Sequence, residues 1–269
     1  MNKFLKRGAA LLLSIVMTLS LCACSEESQE LFGNIAGDLA VGMLESVLNG
    51  DDSQTESGGT SNSAAGEEPV YAVSLDEIPE FNGEDPYVVI NGNEPYFTDE
   101  EKTFSEEFLT CSELDSLGRC GACWMTVCQS MLPTEERGDI SSVKPTGWEQ
   151  NKYDFVDGKY VYNRSHILGY QLSGLNDDPR NLITGTRYMN VDGMLPFENM
   201  VADYAHETEN HVLYRVTPIF QNDELLCRGV LMEAYSMEDD GDGVCFNVYC
   251  YNVQPGVAFD YATGENWLA

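Results

Sequence analysis

The chain contains three histidines, and each is a candidate general base because an imidazole titrates near neutral pH. His206 falls in a stretch with helical spacing and His211 follows a polar turn, so we predict that both are surface residues. His166 differs, because it ends a predicted strand and follows Arg164 by two positions. We therefore take His166 as the candidate base.

Polar side chains follow His166 at the ends of the next predicted elements. Asn181 opens a second short strand, and Asn190 comes shortly after that strand. Pro196 is suited to the first turn of a helix, and that helix carries Glu198. This order predicts two strands and a helix that bring a base, amides and a carboxylate together.

Several motifs recur in one order along the chain. They are Asn163-Arg164-Ser165-His166, 181–186, Asn190, 193–199, 214–218, 252–256 and 260–264, preceded by 114–119 and 133–138. Together they resemble the DNA/RNA non-specific endonucleases of the ββα-metal (His-Me finger) class, and most of all the DNA-entry nuclease branch. The resemblance covers about residues 80–269.

The resemblance implies an enzyme that hydrolyses phosphodiester bonds of DNA and RNA without reading sequence. In that family the strand-end histidine is the general base, so His166 would deprotonate a water. Asn190 would hold a single Mg²⁺, for which Mn²⁺ could substitute, and Glu198 would hold a metal-bound water. Asn181 would lie near the phosphate or the base, and Arg164 would orient the site or clamp the phosphate.

The charge of the chain limits how it can bind nucleic acid. It has 45 acidic and 14 basic side chains, for a formal net charge of -31, which excludes a passive DNA-coating protein. Any substrate must instead meet a local positive cleft. The candidate substrate-binding residues are Arg119, Arg137 and Arg187, and the other basic residues near the motifs are Lys144, Arg164, Arg180 and Arg215.

The N-terminus has the layout of an export signal. Residues 1–23 carry three basic residues and then an apolar run, and they end in a box that resembles the bacterial lipoprotein cleavage site before Cys24. Cys24 would then carry the lipid and hold the protein at the outer face of the cell membrane. An ordinary secretory signal and an uncleaved anchor are the alternatives, and both also place the protein outside the cytoplasm.

An acidic tether is predicted between the lipid and the folded domain. Nineteen acidic residues and no basic one lie between Cys24 and Glu101, and 51–68 is a low-complexity Ser/Gly/Asp/Glu stretch. Within the tether, assigned to 24–78, residues 31–48 have the spacing of a short amphipathic helix. The nuclease domain is assigned to 79–269. Nothing in the sequence implies a protein partner.

The domain is predicted to be α+β, with a mixed or antiparallel sheet, helices and the ββα-metal motif. The predicted strands are 87–90, 159–162, 181–184, 212–220, 225–235 and 244–251, and the predicted helices are 122–132 and the one from Pro196. The acidic run 238–243 lacks the spacing of a calcium loop, so we interpret it as a hairpin turn.

Two closely spaced cysteines allow more than one interpretation. Cys120 and Cys123 have the spacing of a thioredoxin-like redox pair or half a zinc site, but neither motif is complete, so structural cysteines are favoured. Besides the nuclease, two alternatives stay open. One is a catalytically inactive nuclease-fold lipoprotein that binds a partner or extracellular nucleic acid. The other is a thiol-redox lipoprotein.

Overall fold

Ten strands and two α-helices make up the described part of the chain, residues 73–103 and 106–269 of a computed structural model. The strands are β1 (Tyr87–Val89), β2 (Leu109–Cys111), β3 (Cys123–Val127), β4 (Tyr162–His166), β5 (Leu182–Thr186), β6 (Val212–Ile219), β7 (Gly229–Ser236), β8 (Cys245–Tyr251), β9 (Val257–Phe259) and β10 (Asn266–Leu268). The α-helices are α1 (Tyr170–Ser173) and α2 (Leu195–Glu207). The predicted signal 1–23, Cys24 and the helix 31–48 lie outside the described residues.

Six strands form one antiparallel sheet in the order β1-β8-β7-β6-β3-β2. β6 and β8 are rich in β-branched and aromatic residues, which pack well on a pleated surface. The turn between β7 and β8 contains 238–243, so the hairpin interpretation of that acidic run is confirmed. This α+β architecture confirms the predicted fold class.

Helix α2 packs across one face of the sheet. Phe197, Val201 and Ala205 recur every four residues and are buried, which gives the helix a single apolar stripe. The ring of Phe197 lies 4.9 Å from that of Phe246 on β8. Burial of this stripe fixes the helix, and with it the polar residues of its first turn.

A ββα unit stands beside the sheet. β4 pairs with β5 in an antiparallel hairpin, and His166 at the end of β4 is paired with Leu182. After β5 comes a π-helical turn, Met189–Met194, which continues directly into α2. Single π-helical turns of this kind occur frequently at functional sites.

The helix predicted over 122–132 is wrong. Residues Cys123–Val127 form β3, which lies between β2 and β6, and Gln129–Met131 form a 3₁₀ turn. Cys123 is bonded to Cys111 of β2. A short apolar run has the same composition in a buried strand as in a buried helix, so its position between two strands decided its form.

Four strands begin later than predicted. β7 begins at Gly229 rather than Leu225, and β8 begins at Cys245 rather than Val244. β4 spans the motif itself, Tyr162–His166, because Lys159 has a φ of 70° and turns the chain before the strand begins. β5 begins at Leu182 rather than Asn181, which ends a 3₁₀ turn. His166 therefore lies within the hairpin ladder.

Packing on the sheet extends beyond the predicted start of the domain. Val73 is buried in a small cluster with Ile90 and Tyr249, and Leu75 and Ile78 pack against it. The last residues assigned to the tether are thus part of the packed domain. Among residues 73–103 and 106–269, no helix has the length and apolarity needed to cross a membrane.

Candidate active site

An open cleft of about 810 Å³ lies where the β4–β5 hairpin meets the start of α2. Of the predicted site residues, six line it: Arg137, Arg164, His166, Arg187, Asn190 and Glu198. The base, the proposed metal ligand and the helix carboxylate come from three different elements. The ββα unit therefore brings them to one surface.

A backbone contact of His166 indicates which of its ring nitrogens carries the proton. Its Nε2 lies 2.8 Å from the carbonyl oxygen of Asn176. A carbonyl only accepts hydrogen bonds, so Nε2 carries the proton and donates it. In the neutral ring the lone pair is then on Nδ1, which is the tautomer that a general base requires.

The surroundings keep this ring neutral. Burial is the main cause that lowers the pKa of His166 below its usual value of 6.5, and the positive charge of Arg137 lowers it further. Hydrogen bonds to the backbone of Asn176 and Leu175 oppose this shift, because they stabilise the charged ring. His166 is consequently in its base form at neutral pH.

Asn176 connects the base to a second wall of the cleft. Its side-chain Oδ1 accepts a hydrogen bond of 2.9 Å from the backbone N–H of Gly138, while its carbonyl accepts from His166. Gly138 follows Arg137 directly, so the loop that carries this arginine is tied to the residue that orients the base.

Asn190 and Glu198 offer oxygen ligands to the same cleft. Neither side chain takes part in a hydrogen bond or ion pair within residues 73–103 and 106–269. The Glu198 carboxylate instead packs against Gly169. A side chain at position 169 would place its Cβ only 2.7 Å from the Cδ atom of Glu198. Burial raises the pKa of Glu198 to about 7, and the charge of Arg137 opposes that rise.

This pair fits a hard divalent cation. Amide and carboxylate oxygens are the ligands that Mg²⁺ and Mn²⁺ prefer, and Mg²⁺ usually keeps several waters beside one or two protein ligands. Glu198 is partly buried, so its carboxylate is incompletely hydrated, and it lacks a protein partner in the described residues. A cation or its waters would offset the cost of this incomplete hydration. Asn190 would hold the ion and Glu198 would hold a water on it.

We expect replacement of Glu198 by Gln to stabilise the metal-free protein at alkaline pH. The native pKa of about 7 lies above the ordinary 4.5, so wild-type stability falls as pH rises between those values, because the native state must release a proton. The variant has no carboxyl group at position 198, so its stability does not include this pH-dependent loss. Its free energy of unfolding in EDTA should match wild type near pH 4.5 and exceed it by up to about 3 kcal/mol above pH 7.

Urea unfolding at several pH values measures this difference. Glu207→Gln, at the exposed end of the same helix, is the matched control and should show no such pH dependence. A constant difference between Glu198→Gln and wild type across this pH range would contradict the assignment.

Arg164 holds a wall of the cleft in place. Its Nε and NH2 donate to the backbone carbonyls of Val143 and Ser141, and its guanidinium lies 4.3 Å from the ring centroid of Trp148. These contacts use the charged group within the protein. They favour the orienting role over a phosphate clamp.

Asn181 does not reach the cleft. Its side chain is fully buried, where Oδ1 accepts from the backbone N–H of Leu168 at 2.8 Å and Nδ2 donates to the Leu168 carbonyl at 3.0 Å. A buried amide that satisfies both backbone groups of another residue is a structural clamp. Asn181 thus fixes the chain just after His166 rather than facing a phosphate.

The predicted positive residues separate into two groups. Arg119 does not line the cleft, because its guanidinium pairs with Asp115 and donates to the carbonyls of Asn222 and Glu224. Arg215 is buried in the sheet, at 2.8 Å from Glu233. Arg119 and Arg215 therefore stabilise the fold and do not line the cleft.

Besides Arg164, two predicted arginines line the cleft. Arg187 is paired with Asp157 at 2.6 Å, which reduces the positive potential that Arg187 contributes to the cleft. Arg137 is exposed and takes part in no ion pair within the described residues. Arg137 is therefore the principal cationic group that the cleft offers to a phosphate.

A dithiol redox centre at Cys120 and Cys123 is not present. Cys123 is bonded to Cys111, and burial raises the pKa of Cys120 to about 12, which leaves it a protonated thiol. The structural interpretation of this pair is the one the structure supports.

Aromatic residues on the cleft walls were not predicted. Trp148 and Tyr160 line it together with Tyr162 and Tyr170, and nearly half of the Tyr160 surface is exposed. Trp148 and Tyr160 belong to a loop and an isolated bridge without periodic spacing, so local sequence gave no signal for their position.

The comparison with known families agrees with this geometry. The model of the DNA/RNA non-specific endonuclease family matches residues 100–238, which is just over half of the chain. The chain belongs to the DNA/RNA non-specific endonuclease family. The protein is accordingly a hydrolase that cleaves phosphodiester bonds within nucleic acids.

Solved structures share the fold of this endonuclease. The crystal structure of NucA from Streptococcus agalactiae with magnesium ion bound is 24% identical, with a TM-score of 0.60 over 67% of this chain and 86% of that one. The structure of Sda1 nuclease with bound zinc ion is 25% identical, with a TM-score of 0.59 over 69% of this chain and 96% of that one.

Proposed function

We propose that this endonuclease is held at the outer face of the cell membrane and cleaves DNA and RNA with His166 as general base and a Mg²⁺ ion bound by Asn190. The observation that supports the proposal most strongly is the 2.8 Å contact of His166 Nε2 with the Asn176 carbonyl, which assigns the proton to Nε2 and leaves the lone pair of the neutral ring on Nδ1. His166, Asn190 and Glu198 line the same cleft. These groups argue against a catalytically inactive binding protein.

Each residue has a distinct task in the proposed mechanism. His166 takes a proton from the attacking water at Nδ1, and the carbonyl of Asn176 stabilises the ring once it is charged. When bound, the ion would supply charge stabilisation for phosphodiester cleavage. Asn190 would hold this ion and Glu198 would hold a water on it, while Arg137 attracts the phosphate.

Substrate contact is proposed to be limited to the backbone. Backbone contacts position a nucleic acid but carry no sequence information, so cleavage is tolerant of sequence. The test of the activity is incubation of the chain with circular duplex DNA and with RNA, in Mg²⁺, in Mn²⁺ and in EDTA. Cleavage of both substrates in metal and none in EDTA is expected, and cleavage in EDTA would contradict the proposal.

Replacing Arg137 by Gln should weaken substrate binding and reduce its salt dependence. Residues 102–269 carry 26 acidic and 11 basic side chains, so a single cleft cation has a large share in attraction of the phosphate. The slope of log KM against log salt should fall by about 1, which corresponds to the loss of one phosphate contact. Removal of the charge should also move the acid limb of the rate profile to higher pH, since Arg137 lowers the pKa of His166.

Steady-state kinetics at several salt concentrations and pH values checks both effects. Lys144→Gln is the matched control, because Lys144 is exposed and does not line the cleft. Equal salt slopes for Arg137→Gln and wild type would show that another group meets the phosphate.

Changing Cys24 to Ser should release the enzyme from the membrane. A lipid on Cys24 is the proposed anchor, and serine cannot form the thioether. Fractionation of cells is expected to move the nuclease from the membrane to the soluble extracytoplasmic fraction. Cys22→Ser, two positions earlier in the same box, is the control and should stay in the membrane. Retention of Cys24→Ser there would favour an uncleaved anchor.

A further inference from the structure

A second group of metal-ligating side chains lies outside the cleft. Glu107, Cys128 and His211 each offer one ligand atom, and these atoms all lie within 4.8 Å of one another. None of the three lines the catalytic cleft. The sequence indicated no site here, because the residues are far apart along the chain.

The sheet brings these residues together. β3 and β6 are paired with Val127 opposite Val212, so Cys128, just after β3, and His211, just before β6, come at the same end of the pair. Glu107 lies before β2, which is the other neighbour of β3. The group therefore spans three adjacent strands.

His211 is oriented by a carboxylate behind it. Its Nδ1 lies 2.5 Å from Oε1 of Glu238, and its backbone N–H donates to Oε2 of the same residue at 2.7 Å. An Nδ1–H that donates to Glu238 leaves the lone pair of the neutral ring on Nε2. Histidine ligands of metals commonly have such a carboxylate partner, which sets the tautomer.

The spacing of the other two ligands fits zinc. Tetrahedral Zn²⁺, with bonds of about 2.0 to 2.3 Å, separates its ligand atoms by roughly 3.3 to 3.8 Å. The Sγ of Cys128 and the Oε1 of Glu107 are already 3.4 Å apart. Closure around an ion thus requires the ligand atoms to approach one another by about 1.5 Å at most from the 4.8 Å limit.

We propose that Glu107, Cys128 and His211 bind a zinc ion, with Glu238 orienting His211 and a water in the fourth position. A thiolate and a carboxylate balance the charge of Zn²⁺, and the thiolate distinguishes this site from the oxygen ligands of the cleft. Cys128 is 3% exposed and not part of a disulfide. The ion joins the segment before β2 to the ends of β3 and β6 and stabilises that end of the sheet.

Cobalt spectroscopy of the full metal-stripped chain tests this site apart from the catalytic one. A Co²⁺–thiolate bond gives a near-ultraviolet charge-transfer band, and no cysteine is among the described residues that line the cleft. Wild type should give the band with one equivalent of Co²⁺, and Zn²⁺ should abolish it, since zinc binds more tightly than cobalt. Absence of the band in wild type would overturn the proposal.

Variants identify the ligands. Cys128→Ser should remove the band, while Cys245→Ser, at another free cysteine, should keep it. Glu107 is exposed, so Glu107→Gln preserves the fold and provides a second test, with an expected loss of Co²⁺ affinity of at least about tenfold. A band that persists in Cys128→Ser, or an unchanged affinity in Glu107→Gln, would overturn the assignment.

Discussion

Replacing His166 by alanine is expected to lower the rate of DNA cleavage by a factor of about 10² to 10⁴, the range that general-base catalysis contributes. Nε2 of this ring donates its proton to the carbonyl of Asn176, and Nδ1 is the proposed acceptor of a proton from water. Metal-dependent nicking of circular DNA measures the loss. Added imidazole should restore part of the rate, because the open cleft can admit it.

The control for this variant is His206→Ala. His206 is exposed on α2, outside the cleft, so its removal tests whether loss of any histidine impairs the enzyme. Its rate should equal that of wild type. A His166→Ala protein that cleaves at the wild-type rate would show that another group is the base.

The pH profile of wild type gives independent information on His166. A base acts in its neutral form, and burial holds the pKa of this ring below its ordinary 6.5. The rate should therefore be constant through neutral pH and fall only when the pH drops below 6.5. The acid limb should disappear in His166→Ala.

Asn190→Ala should lose more than about 100-fold in activity at fixed Mg²⁺. Changes to groups that merely support a metal ligand cost about 10- to 100-fold in metal affinity, and loss of a ligand itself should cost more. Asn190→Asp, which keeps an oxygen in place, should still bind the ion. Activity over a range of Mg²⁺ concentrations separates the two variants.

Thermal unfolding distinguishes a metal ligand from a merely structural residue. Mg²⁺ should raise the Tm of wild type and of Asn190→Asp, because an ion that binds only the native state stabilises it. The Tm of Asn190→Ala should not respond to Mg²⁺. An equal Mg²⁺-dependent rise in Asn190→Ala and wild type would mean that the ion is bound elsewhere.

The ordered motifs were sufficient to predict the local ββα unit and the residues that it brings to the cleft. His166, Asn190 and Glu198 lie at fixed positions on successive elements, so their convergence follows from the hairpin and the helix that succeeds it. By contrast, 122–132 was assigned to a helix because its apolar residues suit either form. The neighbouring strands β2 and β6, distant in sequence, made it a strand.

Side-chain direction was the other part that sequence could not supply. Arg119 and Arg137 are both arginines in loops, yet one binds backbone carbonyls and the other faces the cleft. Asn181 is as suited to hold a buried backbone as to meet a phosphate, and the packing around Leu168 selected the first. Such choices depend on contacts between segments far apart in the chain.

The continuous course from the π-helical turn into α2 has a consequence for thermal inactivation. Asn190 and Glu198 lie on one continuous helical segment, and its residues Phe197 and Val201 are buried in the hydrophobic core. Binding of the proposed ion would then require no loop to become ordered, which avoids the entropy that a mobile site would lose. Heating cannot displace these oxygens without melting the core. The enzyme should lose its activity in the same cooperative transition in which the domain unfolds.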